Sequence, residues 1–356
     1  MATSSDTLST STAVSIATNP SAGWLRSPTF DFHFIATITF FAVVAGVVGR
    51  QIESVFAVFL ALDVWFLGYH HVVSTFTRLC FDKESFQENK FLVVYLPFLV
   101  IAGTLASVFF IGSWTIATTY LYWQWFHYTR QSYGIERMYR RKAGEGVEIN
   151  DYLTTRVLYL VPIFGILYRS WQRPTEFLTL ELFTFYVPTP LMIASGVLAA
   201  AATVYWGALQ VKAYNEGKFA KAHCAYVVSH LVIFMFGYVL IDDITAGWLV
   251  INIWHNAQYI LFVWWFNNKR FAKGVEPKSK FLSTISQREN LLIYMGICLA
   301  ISTVLYAGLK AATSAFTSST ISLTVFALMV LNFHHYIVDG IIWKRKRMKP
   351  KAATAN

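Results

Sequence analysis

Long apolar runs separated by short polar breaks fill this chain. Ten of them approach the length, about 20 residues, that carries a helix across the hydrocarbon core of a bilayer. They lie at 30–49, 55–78, 91–112, 113–129, 152–168, 187–211, 221–241, 247–267, 289–309 and 320–343. The fourth and fifth are short, and the third and fourth form a candidate hairpin turning at Gly112–Ser113. Residues 170–186 carry Trp171, Phe177, Phe183 and Tyr186, a composition that predicts an interfacial helix. The pattern predicts an all-α polytopic membrane bundle of about ten transmembrane helices. The expected organisation is one membrane domain over 29–344, after a disordered lead-in at 1–28 and before a basic cytoplasmic tail at 345–356. The lead-in is rich in Ser, Thr and Ala and lacks the charged and apolar regions of a secretory signal, so the first span is expected to direct insertion.

Composition narrows the class. The chain is 56% hydrophobic, 17% aromatic and 13% charged over 356 residues, more apolar surface than a water-soluble protein of this size can hide. The net charge of +10 does not point to nucleic acid. Its basic residues fall between spans, where they set topology and meet anionic lipid. Arg130, Arg137, Arg140, Arg141 and Lys142 follow the fourth span, and Lys269, Arg270, Lys273, Lys278 and Lys280 follow the eighth. Lys212, Lys218 and Lys221 follow the sixth, and Lys344, Arg345, Lys346 and Arg347 the tenth. The loop holding Asp242 and Asp243 has no basic residue. This asymmetry places both termini in the cytoplasm, with a bacterial inner membrane as the expected location; Arg169 and Arg173 are exceptions. Cys80, Cys224 and Cys298 show no CxxC spacing and read as buried thiols.

The candidate chemistry lies in the histidines. All nine lie in the apolar runs, and apart from His33 at the start of the first, eight are flanked by long apolar stretches: His70, His71, His127, His223, His230, His255, His334 and His335. An imidazole in hydrocarbon is costly unless it has a partner or faces a polar cavity. Adjacent histidines point about 100° apart on a helix, so in His70–His71 one ring binds an ion while the other faces a neighbour. His335 and Asp339 are spaced i,i+4 and share a face, so the carboxylate is placed to accept the second N–H of a ligating ring, or to act as a ligand itself. His255 and Tyr259 repeat that spacing in a dense polar turn, where Asn256, Gln258 and Tyr259 are candidates to orient a substrate group. His127 lies near the end of its span. His230 is a reserve ligand, while His223 near a helix mouth and His33 at the start of the first span read as interfacial. Each group also has an ordinary structural reading as hydrogen-bonded packing between helices. Trp123, Trp125, Trp254, Trp264 and Trp265 are candidates to line a slot for a long flat substrate, or serve as packing and interface anchors.

Neutral imidazoles from separate helices suit Fe, Cu, Zn or haem. Without thiolates, and with oxygen-donor neighbours, non-haem Fe(II) with open positions fits best. The expected metal ligands are His70 or His71, His127, His255, and His334 or His335, with Tyr259 and Asp339 as catalytic candidates.

These segments resemble the Brp/Blh proteins of bacteria and archaea, membrane-embedded dioxygenases that cleave carotene to retinal. Tyr69-His70-His71 is similar to the family's first histidine motif, with Ser74 or Thr75 where that motif ends in Asp. Phe126-His127-Tyr128 is similar to the second. Trp254-His255-Asn256-Ala257-Gln258-Tyr259 is similar to the third, with Tyr259 in place of a second histidine. Phe333-His334-His335-Tyr336-Ile337-Val338-Asp339 is similar to the fourth. Order and rough spacing match from Asp63 to Trp343. The resemblance implies an iron-dependent oxygenase that uses O2 as co-substrate and takes a carotenoid or other lipophilic molecule from the bilayer. The HxxxH and HxxHH boxes of membrane desaturases and the DxxxD loops of prenyltransferases are missing from the sequence. A histidine-lined transporter or proton channel and a haem-binding membrane protein are the alternatives.

Overall fold

The computed structural model describes residues 23–144, 146–313 and 322–344. Most of the expected lead-in and the whole expected basic tail lie outside the described residues. The last part of that lead-in is folded: Leu25 is buried, its N–H donates to Asp31 Oδ2 at 2.6 Å, and the Gly23 N–H reaches the Lys142 carbonyl at 2.7 Å.

Ten long helices stand where the ten apolar runs predict them. They are α1 (Pro28–Gln51), α2 (Glu53–Leu79), α3 (Phe91–Phe110), α4 (Trp114–Lys142), α5 (Asp151–Gln172), α6 (Thr189–Asn215), α7 (Lys221–Leu240), α8 (Ile244–Arg270), α9 (Leu291–Thr313) and α10 (Leu323–Ile342). Seven of them, α1, α2, α3, α6, α7, α9 and α10, are long and apolar enough to cross a membrane. Against the expected count of about ten crossings, seven helices among the described residues are apolar enough to cross. The other three carry too many polar groups, for a structural reason. Helix α8 runs through the middle of the bundle, with 18 of its 27 residues buried, and these include Asn252, His255, Asn256 and Gln258. Helix α4 buries Gln124, His127 and Glu136, and α5 buries Arg169.

The outer helices turn large apolar side chains outward. Phe40, Phe98, Phe109, Leu292 and Val304 are exposed, Leu292 by 84%. A surface of this kind needs lipid rather than water around it. The buried core joins Phe34, Ile116, Ile233, Leu249, Trp254 and Val338 in one cluster that spans several helices. Helices α7 and α8 approach through Gly237 and Gly247, where a Cβ on Gly247 would collide with the Gly237 carbonyl. Arg169, an exception to the charge pattern, explains itself here. It is buried, and its guanidinium donates to the carbonyls of Gly237, Ile241 and Asp242 at the end of α7. These are carbonyls that no further helical turn can satisfy.

The interfacial helix expected at 170–186 does not form. Helix α5 stops at Gln172, Arg173 adopts the left-handed conformation, and Pro174 follows. The residue before a proline is driven out of helical geometry. The chain then makes a short antiparallel ribbon, Glu176–Phe177 against Leu180–Glu181, turning through Leu178 and Thr179 at positive φ.

Among the described residues four helices contain π-helical stretches, including Asp63–Tyr69 immediately before His70 in α2. Such stretches are rare and are often found at functional sites.

Candidate metal centre

The histidine motifs of four separate helices meet at one point. His71 of α2, His127 of α4, His255 of α8 and His335 of α10 each offer a ring nitrogen, and these atoms all lie within 4.8 Å of one another. All four residues are buried. Ring centroids are 4.3 Å apart for His71 and His335, 4.8 Å for His71 and His255, and 4.8 Å for His127 and His255.

The ring nitrogens are bare in the way a metal site requires. His71 Nε2 and both nitrogens of His255 are buried without a hydrogen-bond partner among the described residues. The Nε2 atoms of His127 and His335 face each other at 3.3 Å. Four imidazoles at Zn–N-like bond lengths of about 2.0–2.1 Å set ligand atoms about 3.3–3.4 Å apart in a tetrahedron. Leaving buried imidazole nitrogens unsatisfied costs about 1–3 kcal/mol each, a cost that one shared cation removes for one nitrogen of each ring. The donor set is neutral nitrogen without thiolate, which fits Fe(II), Cu(II) or Zn(II).

A chain of hydrogen bonds fixes one ligand's tautomer. Tyr259 donates to Asp339 Oδ1 at 2.6 Å, and the Trp343 indole donates to the same oxygen at 2.5 Å. An ionised Asp339 only accepts, so the Tyr259 oxygen is free to accept from Thr75 Oγ1 at 3.0 Å. The Thr75 oxygen in turn accepts from His335 Nδ1 at 3.1 Å. His335 then carries its proton on Nδ1 and directs the Nε2 lone pair at the cluster. Hydrogen bonding of the outer ring nitrogen is what sets ligand orientation in metal sites generally. On the other ring, Asp339 Oδ2 stands 4.0 Å from His127 Nδ1. Asp339 therefore serves two rings, His127 by proximity and His335 through two hydroxyls. The i,i+4 contact expected from Asp339 to His335 is not made; Thr75 takes that place. Neither Tyr259 nor Asp339 is among the residues that line the cavity beside the histidines.

Of each adjacent pair, one histidine joins the cluster. His70 is buried outside it, with its ring turned toward the Phe66 carbonyl one turn back on α2. His334 Nε2 bonds the Leu92 carbonyl on α3 at 2.7 Å. The divergence follows from the roughly 100° between successive side chains. His230, the reserve ligand, instead bonds Ser132 at 2.8 Å and packs on Phe234. His223 pairs with buried Glu136 at 2.7 Å. Gln258 is structural, donating to the Phe34 carbonyl at 3.1 Å. His33 is exposed and contacts Thr37.

A cavity of about 220 Å³ opens from His71 and His255 toward the end of the bundle that carries Asp242. Its wall holds Gln124, Tyr128, Asn252 and Asn256 among apolar residues of α2 and α10. Behind Asn252 and Asn256 lies Asp63, buried on the π-helical stretch of α2 and receiving bonds from both amides at 2.5 and 3.4 Å. Asp63, Gln124, Tyr128 and Trp343 are not among the residues that motif and spacing single out. Asp63 had a signal: it is the one acidic residue inside the 55–78 apolar run, and a carboxylate there is a functional marker by default. Of the tryptophans considered as slot-liners, Trp254 and Trp264 are buried packing groups, while Trp123 stacks on Phe333.

Compared with known proteins, the chain matches no protein-family model, no curated protein and no solved structure.

Proposed function

We propose that this chain is a membrane-embedded, non-haem iron oxygenase acting on a lipophilic substrate taken from the bilayer. The observation that carries the reading is the convergence of His71, His127, His255 and His335 in a buried site beside a cavity. One histidine comes from each of the four segments that resemble the Brp/Blh motifs, which supports a related chemistry, with carotenoid cleavage as one form of it. A ferrous ion at this centre supplies redox activation of dioxygen toward a double bond or C–H bond.

The protein's own residues supply the rest. The four rings come from helices packed in the core, so their positions are fixed before anything binds. Thr75, Tyr259 and Asp339 hold His335 in the ligating tautomer. Apolar packing around the site excludes water from the reacting carbon. The outward apolar faces favour substrate arriving through lipid. In the proposed topology α4, α5 and α8 also cross, giving ten spans with both termini cytoplasmic, and the basic loops meet anionic lipid. A haem reading is disfavoured because the four rings pack against one another, with centroids from 4.3 to 6.5 Å apart and no room for a macrocycle between them.

The test is metal analysis of protein purified in mild detergent, beside His255→Ala. About one iron per chain, lost in the variant, together with substrate-dependent oxygen uptake, supports the oxygenase. Metal-free protein that conducts ions in liposomes overturns it in favour of transport. Expression in a β-carotene-producing host asks the narrower question: bleaching with retinal formation places the substrate among carotenes, and unchanged colour directs the search to other lipids.

A further inference from the structure

His255 is a ligand whose ring has no hydrogen bond to aim it: both of its nitrogens are buried without a partner among the described residues. Its direction is set by packing. Four rings lie against it, and Tyr128 is the nearest, with centroids 4.2 Å apart. His71 and His127, each at 4.8 Å, are themselves ligands, and Tyr259 is 6.3 Å away. What holds Tyr128 therefore bears on where His255 points.

The buried Tyr128 hydroxyl is held from three sides. It donates to Asn252 Oδ1, it accepts from Gln124 Nε2, and the Trp248 indole N–H is directed at the same oxygen. Asp63 decides the direction of these bonds. It is buried on the π-helical stretch of α2, and an ionised carboxylate only accepts. Asn252 must then turn Nδ2 to Asp63, at 2.5 Å, and Oδ1 to Tyr128. The phenol proton goes to that amide oxygen, and the phenol oxygen is left to accept from Gln124 and Trp248. Without the carboxylate, nothing keeps the Asn252 amide this way round. Turned over, it presents Tyr128 with a third donor and leaves the phenol proton without an acceptor.

We propose that Asp63 is a positioning residue for the metal centre: through Asn252 it sets the bonds that hold Tyr128, and through the Tyr128 ring it aims His255. The proposal rests on the four histidines binding an ion, and not on the reaction that ion performs. It gives the centre a second support, opposite in kind to the first. Asp339 reaches His335 through Tyr259 and Thr75 and ends on a ring nitrogen. Asp63 reaches His255 through Asn252 and Tyr128 and ends on a ring face. The other contact to Asp63, from Asn256 Nδ2 at 3.4 Å, is too long to carry much of the effect. Groups that orient metal ligands usually bond the ligand directly. Here the support passes through two side chains, so the expected effect on affinity falls at the low end of the range for such groups.

The experiment uses Co(II) bound to the full chain in mild detergent. Chelator competition measures its affinity, and its visible ligand-field bands report the geometry of the ligands. Asp63→Leu and Tyr128→Phe should each weaken Co(II) binding by about tenfold and shift the bands. Asp63→Asn keeps an acceptor oxygen for Asn252 and should recover both the affinity and the wild-type bands. The double variant Asp63→Leu/Tyr128→Phe should bind no more weakly than either single variant, because both break one chain. Wild-type affinity and bands in Asp63→Leu overturn the proposal. So does a double variant in which the two losses multiply, or Asp63→Asn binding as weakly as Asp63→Leu, since charge rather than the bond is then what matters. If Asp63→Leu does not purify as a monodisperse species, Tyr128→Phe decides, and unchanged binding there overturns the proposal. Wild-type protein that binds no Co(II) removes the metal centre and this support together. Tight wild-type binding with unaffected variants removes the support alone.

Discussion

His127 and His335 bring their Nε2 atoms to 3.3 Å from helices α4 and α10, more than 200 residues apart in sequence. Two neutral imidazoles gain at most one hydrogen bond from this approach, and the Thr75–Tyr259–Asp339 chain leaves His335 Nε2 without a proton. The separation is that of two ligands on one ion. The adjacent pairs make the sharpest check. His71→Ala and His335→Ala should each reduce bound metal by at least about tenfold. His70→Ala and His334→Ala should retain it. Elemental analysis of the four purified variants decides the matter; equal retention across all four removes the centre.

Thr75 offers a subtler test because it belongs to the support of the rings rather than to the rings themselves. Thr75→Val preserves shape but leaves His335 Nδ1 without an acceptor and Tyr259 with only the longer, 3.4 Å bond from the Trp343 indole. Loss of such an outer partner typically costs 10–100-fold in metal affinity. Thr75→Ser keeps the hydroxyl and should stay near wild type. Chelator competition measures both. A Val variant that binds metal as tightly as the Ser variant shows that the relay does not set the ligand.

How much of this was written in the sequence differs by element. The four histidine segments were legible because imidazole in an apolar run stands out energetically. The choice within each pair was not. It depends on the rotation of each helix about its axis, and in α2 the π-helical stretch Asp63–Tyr69 changes that rotation just ahead of His70. Each residue absorbed by a π turn rotates the downstream helix by roughly 100°. Asp339 was legible as a supporting carboxylate, but its nearer ring belongs to α4, which periodicity along α10 cannot reveal. Helix positions were legible from hydropathy. The count of apolar crossings was not, because α8 and α4 carry the site's polar groups inward and so lose the very signal that marks a span.

Glu136 anchors a second buried cluster on α4. It receives His223 at 2.7 Å and the Arg140 guanidinium at 2.6 Å, and it is fully buried. Arg140 also reaches Asp151, whose side chain is 65% exposed. Removing one partner of a buried pair strands the others and costs about 3–5 kcal/mol, whereas an exposed pair contributes about 0–1 kcal/mol. Glu136→Ala should therefore lower the thermal midpoint in detergent substantially, while Asp151→Ala shifts it little. Comparable midpoints for the two variants refute the assignment.

At the far end of the same bundle, Asp242 ties the α7–α8 turn to α1 through Arg50, which donates at 2.7 and 3.0 Å. The hydrogen bond from Arg50 holds the Asp242 carboxyl down to about 2. An unfolded aspartate titrates near about 3.9. The folded state thus binds this proton less readily than the unfolded one, so the contribution to stability is complete above about pH 4 and disappears as pH falls toward about 2. Both side chains are largely exposed, 47% and 72%, so the effect is small and weakens with salt. Asp242→Asn should flatten the acid limb of the stability profile between those values, at low ionic strength, and leave neutral-pH stability nearly unchanged. An acid limb identical in the two proteins would show that Arg50 and Asp242 are neighbours without a bond that matters in solution.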